Sequence, residues 1–297
     1  MRVKPSRKQR YMQKRPEYKN FFKVGVDLKK VIASAAALLL LLIFLHWQNN
    51  SITETEVTIV SEDLPAAFQG FKIIQLSDLH SKSFDKEQHS ISERVSDASP
   101  DIIFFTGDLV DSKNYDEKPS IKLMEKLLET APVVFVTGNH EWWSGHHQDL
   151  EEKLIELGVT VLQNENMQVK RGNEALVLLG IDDPASGLSL EEMMDSASKG
   201  TTGKFKVLLA HRPERFPEYQ EYQIDLIFSG HAHGGQVRLP FVGGIAAPDQ
   251  GFLPRYDAGV FRAGGSTLIV NRGLGNSIIP QRLFNRPEIV EVTLKSQ

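Results

Sequence analysis

The chain has 297 residues, 41% hydrophobic and 24% charged, with 9 histidines and no cysteine. That length allows one large α/β domain or two small ones plus an appendage, and the composition is that of a chain able to bury a core. The missing cysteines exclude disulfides, Cys-ligated zinc and thiol nucleophiles, so any metal must be held by His, Asp, Glu, Asn or backbone oxygen.

The net charge of −4 conceals an asymmetry. Residues 1–30 carry 11 Lys/Arg against 2 acids, a balance of +9, while the chain after residue 50 carries 23 Lys/Arg against 36 Asp/Glu, a balance of −13. Between them Val31–Leu45 (VIASAAALLLLLIFL) is apolar apart from Ser34, with His46 and Trp47 at its end. With the two added, residues 31–47 reach the lower limit of roughly 17 residues for a membrane span, and Trp47 suits the headgroup level. A single-pass signal anchor is expected. A cleaved signal peptide lacks a small-x-small site in LHWQNNSITETE, and a buried core helix would not be apolar on every face. The positive-inside rule keeps the basic segment 1–30 in the cytoplasm and places the acidic body on the other side of the membrane. Residues 48–56 (QNNSITETE) read as a short polar linker, and 57–297 as one domain.

From there strand and helix signals alternate. Phe71–Leu76, Asp101–Phe105, Pro132–Val136, Lys206–Ala210 and Ile224–Phe228 are short apolar runs, read as buried strands. Ile121–Glu129, after Pro119 and Ser120, and His147–Leu157, ending at Gly158, read as helices. Ser189–Glu192 is a capping box opening another helix. Met167–Lys170 and Glu174–Leu179 flank Arg171-Gly172-Asn173 as a hairpin. Thr267–Val270 and Ile289–Leu294 add antiparallel character near the end.

Each of the five apolar runs ends in a polar cluster: Ser77-Asp78-Leu79-His80; Thr106-Gly107-Asp108-Leu109-Val110-Asp111; Thr137-Gly138-Asn139-His140-Glu141; His211-Arg212-Pro213; and Ser229-Gly230-His231-Ala232-His233-Gly234-Gly235-Gln236. Ligands of open α/β sheets sit outside the carboxyl ends of the strands. Five adjacent strands would therefore deliver Asp78, His80, Asp108, Asn139, His211, His231 and His233 to one place. The set is too large for one ion, and its mix of carboxylate, imidazole and amide suits two divalent ions. Such a pair clamps the oxygens of an in-line displacement and makes hydroxide available near neutral pH, which fits phosphate ester hydrolysis.

These five blocks, in this order over roughly residues 70–236, resemble the signature of the calcineurin-like metallophosphoesterases. The resemblance implies the four-layer αββα sandwich of that family, here preceded by one transmembrane helix. It implies that Asp78, His80 and His233 hold one metal, that Asn139, His211 and His231 hold the other, and that Asp108 bridges them. It makes His140 the catalytic histidine, protonating the leaving oxygen or stabilising its charge, and Asp111 a support that orients neighbouring ligands. The stretches LLAHRPERF (208–216), GHAHGGQVRLP (230–240), NRGLG (271–275) and RPEI (286–289) are similar to the membrane-associated bacterial branch of YkuE/YaeI-type phosphodiesterases.

The expected activity is hydrolysis of a phosphodiester or pyrophosphate bond in a membrane- or envelope-associated, lipid-linked substrate, by a hydroxide bridging two divalent ions (Mn, Fe or Zn). A phosphomonoesterase acting on nucleotides or phosphoproteins, and a metal-bound membrane scaffold without turnover, are the alternatives. No nucleic-acid partner is expected, since the basic head directly precedes the membrane segment. Trp142 and Trp143 either wall the substrate pocket or pack beside it. Arg212 either binds phosphate or forms a surface ion pair, and Arg272 either approaches the substrate or ties the C-terminal layer together. The Gly/Pro-rich stretch 240–259 reads as a lid or apolar groove for a lipid-bearing substrate.

Overall fold

The structure is a computed structural model and describes residues 27–201, 205–276 and 279–297. The basic segment 1–30 lies outside the described residues except for Asp27–Lys30. Helix α1, Leu28–Asn50, is rich in Ala and Leu and contains no Gly or Pro, so its helical propensity is high. With 23 residues and an 18-residue stretch of mean hydropathy 2.3, it is long and apolar enough to cross a membrane. A compact body begins at Phe44.

Residues 48–56 are not the linker expected from sequence. Helix α1 runs to Asn50, and after Ser51 and Ile52 the first strand, β1 (Thr53–Ser61), begins. Its Thr/Glu alternation is that of an edge strand with one face toward water, not of a loose tether.

The remaining elements follow in chain order as β2 (Lys72–Leu76), α2 (His89–Ala98), β3 (Ile102–Thr106), α3 (Lys118–Leu128), β4 (Val133–Val136), α4 (Asn139–Ser144), α5 (His147–Leu157), β5 (Thr160–Val161), β6 (Glu165–Arg171), β7 (Glu174–Gly180), α6 (Leu190–Ala197), β8 (Lys206–Leu209), α7 (Phe216–Gln220) and β9 (Leu226–Ser229). The stretch 240–259 is partly ordered into two small antiparallel pairs, β10 (Arg238–Leu239) with β11 (Gly243–Gly244) and β12 (Ala246–Ala247) with β13 (Gly251–Phe252). The chain ends with β14 (Gly259–Ala263), β15 (Ser266–Val270) and β16 (Glu288–Ser296).

Two six-stranded mixed sheets face each other, in the orders β1-β16-β2-β3-β4-β5 and β14-β15-β9-β8-β7-β6. Their inner faces share one core, in which Ile73, Phe104, Val134 and Val136 meet Val207, Leu209, Leu226 and Phe228. The intervening residues point outward. Ile74, Ile103, Phe105, Val133 and Phe135 pack on α2, α3 and α5. Val177, Leu179, Leu208 and Ile227 pack on α6 and α7. The result is the four-layer αββα sandwich. Each central strand is covered on both faces, which is why it reads as an unbroken apolar run.

The five strands expected to be adjacent divide between the layers: β2, β3 and β4 lie in one sheet, and β8 and β9 in the other. Helix α3 starts at Lys118, taking Pro119 and Ser120 into its first turn, where a proline's missing N–H costs nothing. The Gly158 stop, the Ser189–Glu192 capping box and the hairpin around Gly172-Asn173 form as expected.

Candidate metal centre

All five polar clusters arrive at one end of the sandwich, where the two sheets are stitched together. Gln75 Nε2 donates to Ser229 O in the facing sheet at 2.9 Å, and His211 Nδ1 donates to Thr106 O at 2.7 Å. The backbone turns hard here. Asp78, His80, Asp108, His231 and His233 all have positive φ between 48° and 64°. Non-glycine residues held in this region cluster at functional sites, where the surrounding structure must over-determine them. Gly107 shows why glycine is needed beside them: a Cβ there would come within 2.6 Å of both Gly138 N and His211 Nδ1.

Two groups of buried side chains result, and Asp108 belongs to both. In the first, Asp78, His80, Asp108 and His233 each offer one ligand atom, all within 4.8 Å of one another; in the second, Asp108, His211 and His231 do the same. His80 Nε2 lies 3.1 Å from His233 Nε2, and His233 Nε2 lies 3.3 Å from Asp78 Oδ1. His211 Nε2 lies 3.2 Å from Asp108 Oδ2 and 3.1 Å from His231 Nδ1. Two atoms bound to one ion at ~2.1 Å, with tetrahedral to octahedral angles, are about 3.0–3.4 Å apart. The four separations fall in that range. Asn139 Oδ1 is buried with no hydrogen-bond partner, the state of an oxygen reserved for a cation. The residues present therefore fit metal ions.

The charges of the site are already organised by one another. Burial pulls the His211 imidazole down, but the Asp108 and Asp78 carboxylates outweigh it and hold it up at about 10. Burial would raise Asp108; His211 and His80 reverse this and keep it well below the usual carboxylate range. Burial pushes Asp78 up, and pushes His80 down to about 4 and His233 well below its ordinary value. A divalent cation resolves this crowding, since it favours ionised carboxylates and neutral imidazoles together.

His140 sits beside the pair, its ring 4.4 Å from that of His80. The Ser112 N–H donates to His140 Nδ1 at 3.0 Å, which leaves Nε2 to carry the proton. The His140 N–H donates to Asp108 Oδ1 at 2.8 Å. Asp111 Oδ2 lies 3.9 Å from Nδ1 of both His80 and His140, close enough to bias both rings.

The other residues singled out from sequence are placed as follows. Trp142 is half-buried, donates Nε1–H to Thr137 Oγ1 at 3.0 Å and stacks on His147. Trp143 is exposed, its ring 5.7 Å from that of His140. The guanidinium of Arg212 is taken up by Asp183, with Nε to Oδ2 at 2.6 Å and Nη2 to Oδ1 at 3.0 Å, and by Asp249. Asp183 is fully buried, so this pair lies inside the protein and not on its surface. Arg272 pairs with Glu288 of β16 at 2.8 Å, which ties it to the C-terminal strand.

Sequence reasoning missed three residues of the site. Glu141 is buried and accepts the N–H groups of Asp108, Leu109, Val110 and Gly138. Asp249, from the 240–259 stretch, accepts from His231 Nε2 at 2.9 Å and so fixes Nδ1 toward His211. Arg282 is wholly buried, donates to Gly275 O and Arg272 O, and places Nη2 3.5 Å from His233 Nδ1. Only the acid in Gly138-Asn139-His140-Glu141 carried a local signal, as the third residue of a helix whose N-cap it closes.

Residues 71–235 match the calcineurin-like phosphoesterase family. The chain is 32% identical over 258 residues to the uncharacterized metallophosphoesterase YkuE of Bacillus subtilis, covering 84% of this chain and 88% of that one. It is 31% identical over 232 residues to the phosphodiesterase YaeI of Escherichia coli, covering 75% and 82%. It is 28% identical over 258 residues to a transmembrane protein with metallophosphoesterase domain of Danio rerio, covering 81% of this chain and 56% of that one. With its blocks converging on paired Asp/His groups between two sheets, the chain belongs to the calcineurin-like phosphoesterases.

Proposed function

We propose that the chain is a dinuclear metallophosphoesterase that hydrolyses a phosphodiester or pyrophosphate bond in a membrane- or envelope-associated substrate. The observation that carries this reading is the sharing of Asp108 by two buried ligand groups, with the orphaned Asn139 Oδ1 nearby. Asp78, His80 and His233 would hold one divalent ion and Asn139, His211 and His231 the other, with Asp108 available to both. Manganese, iron and zinc all suit such an oxygen- and nitrogen-bearing set. When bound, the ions supply Lewis acidity to the phosphoryl oxygens and to the attacking water.

The chain's own residues do the rest. His140, its Nδ1 occupied by the Ser112 N–H, keeps a proton on Nε2 and gives it to the leaving oxygen. Glu141 fixes the loop that presents Asp108. Asp249 and Arg282 orient His231 and His233, and Asp111 acts on His80 through its charge.

Helix α1 anchors the body at a membrane. Its 23 residues span about 34 Å at 1.5 Å per residue, against a hydrocarbon core of about 30 Å. The basic segment before it keeps the N-terminus cytoplasmic, so the catalytic body stands outside. Support for the diester preference is that YaeI is named a phosphodiesterase.

The test is the full chain, purified in detergent, reconstituted with manganese, iron or zinc, and assayed on bis-p-nitrophenyl phosphate, p-nitrophenyl phosphate, phospholipids and nucleotide-linked lipids. Metal-dependent diester turnover is expected. Preference for the monoester would favour a nucleotide or protein phosphatase, and no turnover with any metal would leave the scaffold reading. Protease added to intact cells should digest the body; full protection would refute the orientation.

A further inference from the structure

We propose that residues 236–253 and 279–286 form one lobe that seats on anionic phospholipid, so that the metal centre takes its phosphoester from the bilayer surface; this rests on the phosphoesterase and anchor readings above. The lobe is continuous. Val237 bridges Leu283, the Arg238 N–H donates to Leu283 O at 3.0 Å, and Gln236 Nε2 donates to Ile279 O at 2.6 Å. The Leu253 N–H returns to Ile245 O at 2.8 Å, which ties the β12/β13 hairpin to the same unit. At its surface Phe241 is fully exposed, and Val242, Phe252, Leu253, Ile279 and Phe284 are exposed with it. A grouped apolar surface of this kind marks an interaction site, whereas scattered exposed leucines would not.

The end of α1 decides what covers it. The Phe44 and Phe284 rings lie 6.0 Å apart. Asn49 Oδ1 accepts from the Arg282 N–H at 2.7 Å and from Gln281 Nε2 at 3.1 Å, and Asn49 Nδ2 donates to Pro280 O at 2.9 Å. Only Ser51 and Ile52 separate the helix from β1, so the body has no slack with which to leave the bilayer. The face carrying the helix end is then the face that meets lipid, and the apolar lobe is on it.

Chemistry agrees with position. Beside the end of α1 lies a cleft of about 340 Å³ lined by Phe44, Trp47, Phe284 and Arg286. The Arg286 guanidinium lies over the Trp47 ring at 4.7 Å. Aromatic rings beside the Arg286 guanidinium match the headgroup region of an anionic bilayer. The lobe also abuts the site: Asn285 Nδ2 donates to His233 O at 2.7 Å, so the surface that touches lipid is one residue pair from a metal-binding histidine.

The absence of native cysteine permits a direct test. Phe241→Cys, Leu40→Cys and Ile155→Cys, each in the full chain, are spin-labelled and reconstituted into nanodiscs of phosphatidylcholine and phosphatidylglycerol. The expected result is preferential access of oxygen to labels at 241 and 40, and of a soluble nickel chelate to the label on α5 at 155. Nickel access at 241 with oxygen access at 40 overturns the lobe proposal and leaves the anchor standing; nickel access at both overturns the two together. Spin–spin broadening at 241 would put a second copy on the face and also overturn it. Metal-dependent hydrolysis of bis-p-nitrophenyl phosphate, measured on the same samples, reports the phosphoesterase reading separately. Phe241→Ser with Phe252→Ser should lower turnover of a phospholipid diester several-fold while sparing that soluble ester. Equal rates on both substrates would count against delivery from the bilayer.

Discussion

His211 Nε2 and Asp108 Oδ2 face each other at 3.2 Å inside the protein, and the opposite nitrogen of the same ring is fixed by its bond to Thr106 O. In the metal-free chain, the proton that Asp108 and Asp78 hold on this imidazole up to about pH 10 occupies the place of a cation. Below that pH an incoming metal must displace it. Metal uptake at neutral pH is therefore expected to release protons, and affinity should climb as pH rises toward 10, by about tenfold per pH unit for each proton displaced. Titration calorimetry of the metal-free chain in buffers of different ionisation enthalpy reads the number directly. An observed heat independent of the buffer would overturn the expectation.

Glu141 determines whether Asp108 is presented at all. Its carboxylate accepts from Asp108 N at 2.9 Å, Leu109 N at 2.7 Å, Val110 N at 3.2 Å and Gly138 N at 2.6 Å, joining the ends of β3 and β4. Glu141→Gln keeps the shape but turns one acceptor oxygen into a donor facing buried N–H groups. A stability loss of about 3 kcal/mol is expected, since bonds to a charged group are worth roughly 1.5–3 kcal/mol each and unmade ones cost more. Bound metal should fall with it. Melting temperature and metal content equal to the parent's would show that the loop holds itself.

How much of this was legible depended on whether a residue's partner was near in sequence. Ile102–Thr106 and Val133–Val136 were readable because strands covered on both faces are apolar throughout. That same uniformity hid which sheet each strand joins, since a run with no polar face says nothing about its layer. Asp78, His80, Asp108, Asn139, His231 and His233 were readable because each follows such a run, beside a glycine or a tight turn. β1 was not, because an edge strand of alternating Thr and Glu resembles a linker until its partner β16 is known. Arg282 could not be found, for it meets His233 across 49 positions of chain with no local pattern. The partners of Arg212 and Arg272, Asp183 and Glu288, lie 29 and 16 positions away, too far for a local pattern to show them.

Asp182, just beyond β7, gives the fold a pH dependence of its own. Burial raises its carboxyl to about 6, against the opposing bonds from Thr137 Oγ1 and Asn164 Nδ2. A carboxyl raised above its unfolded value of 3.8 binds more protons folded than unfolded between those two pH values. Its stabilising contribution is therefore complete below about pH 4 and lost as pH rises through 6. It amounts to roughly 2–3 kcal/mol, because each tenfold gain in proton affinity on folding is worth about 1.4 kcal/mol. Unfolding midpoints of the parent and Asp182→Asn should diverge in this way across pH 4 to 7. Parallel curves would remove Asp182 as the cause.

His140 offers the sharpest separation between chemistry and scaffold. Its Nδ1 is occupied by the Ser112 N–H at 3.0 Å, so any proton it gives must come from Nε2. Loss of a general acid costs typically about 10²–10⁴-fold, but only where the leaving oxygen needs the proton. Replacing His140 with Ala should therefore abolish most turnover of a dialkyl phosphodiester, whose alkoxide leaves badly. It should cost far less with bis-p-nitrophenyl phosphate, whose phenolate leaves unaided. Metal content should be unchanged, because His140 is in neither of the two groups that share Asp108. An equal loss on both esters would assign His140 to binding or to charge stabilisation instead of proton transfer. A variant that also loses its metal would place the imidazole among the ligands.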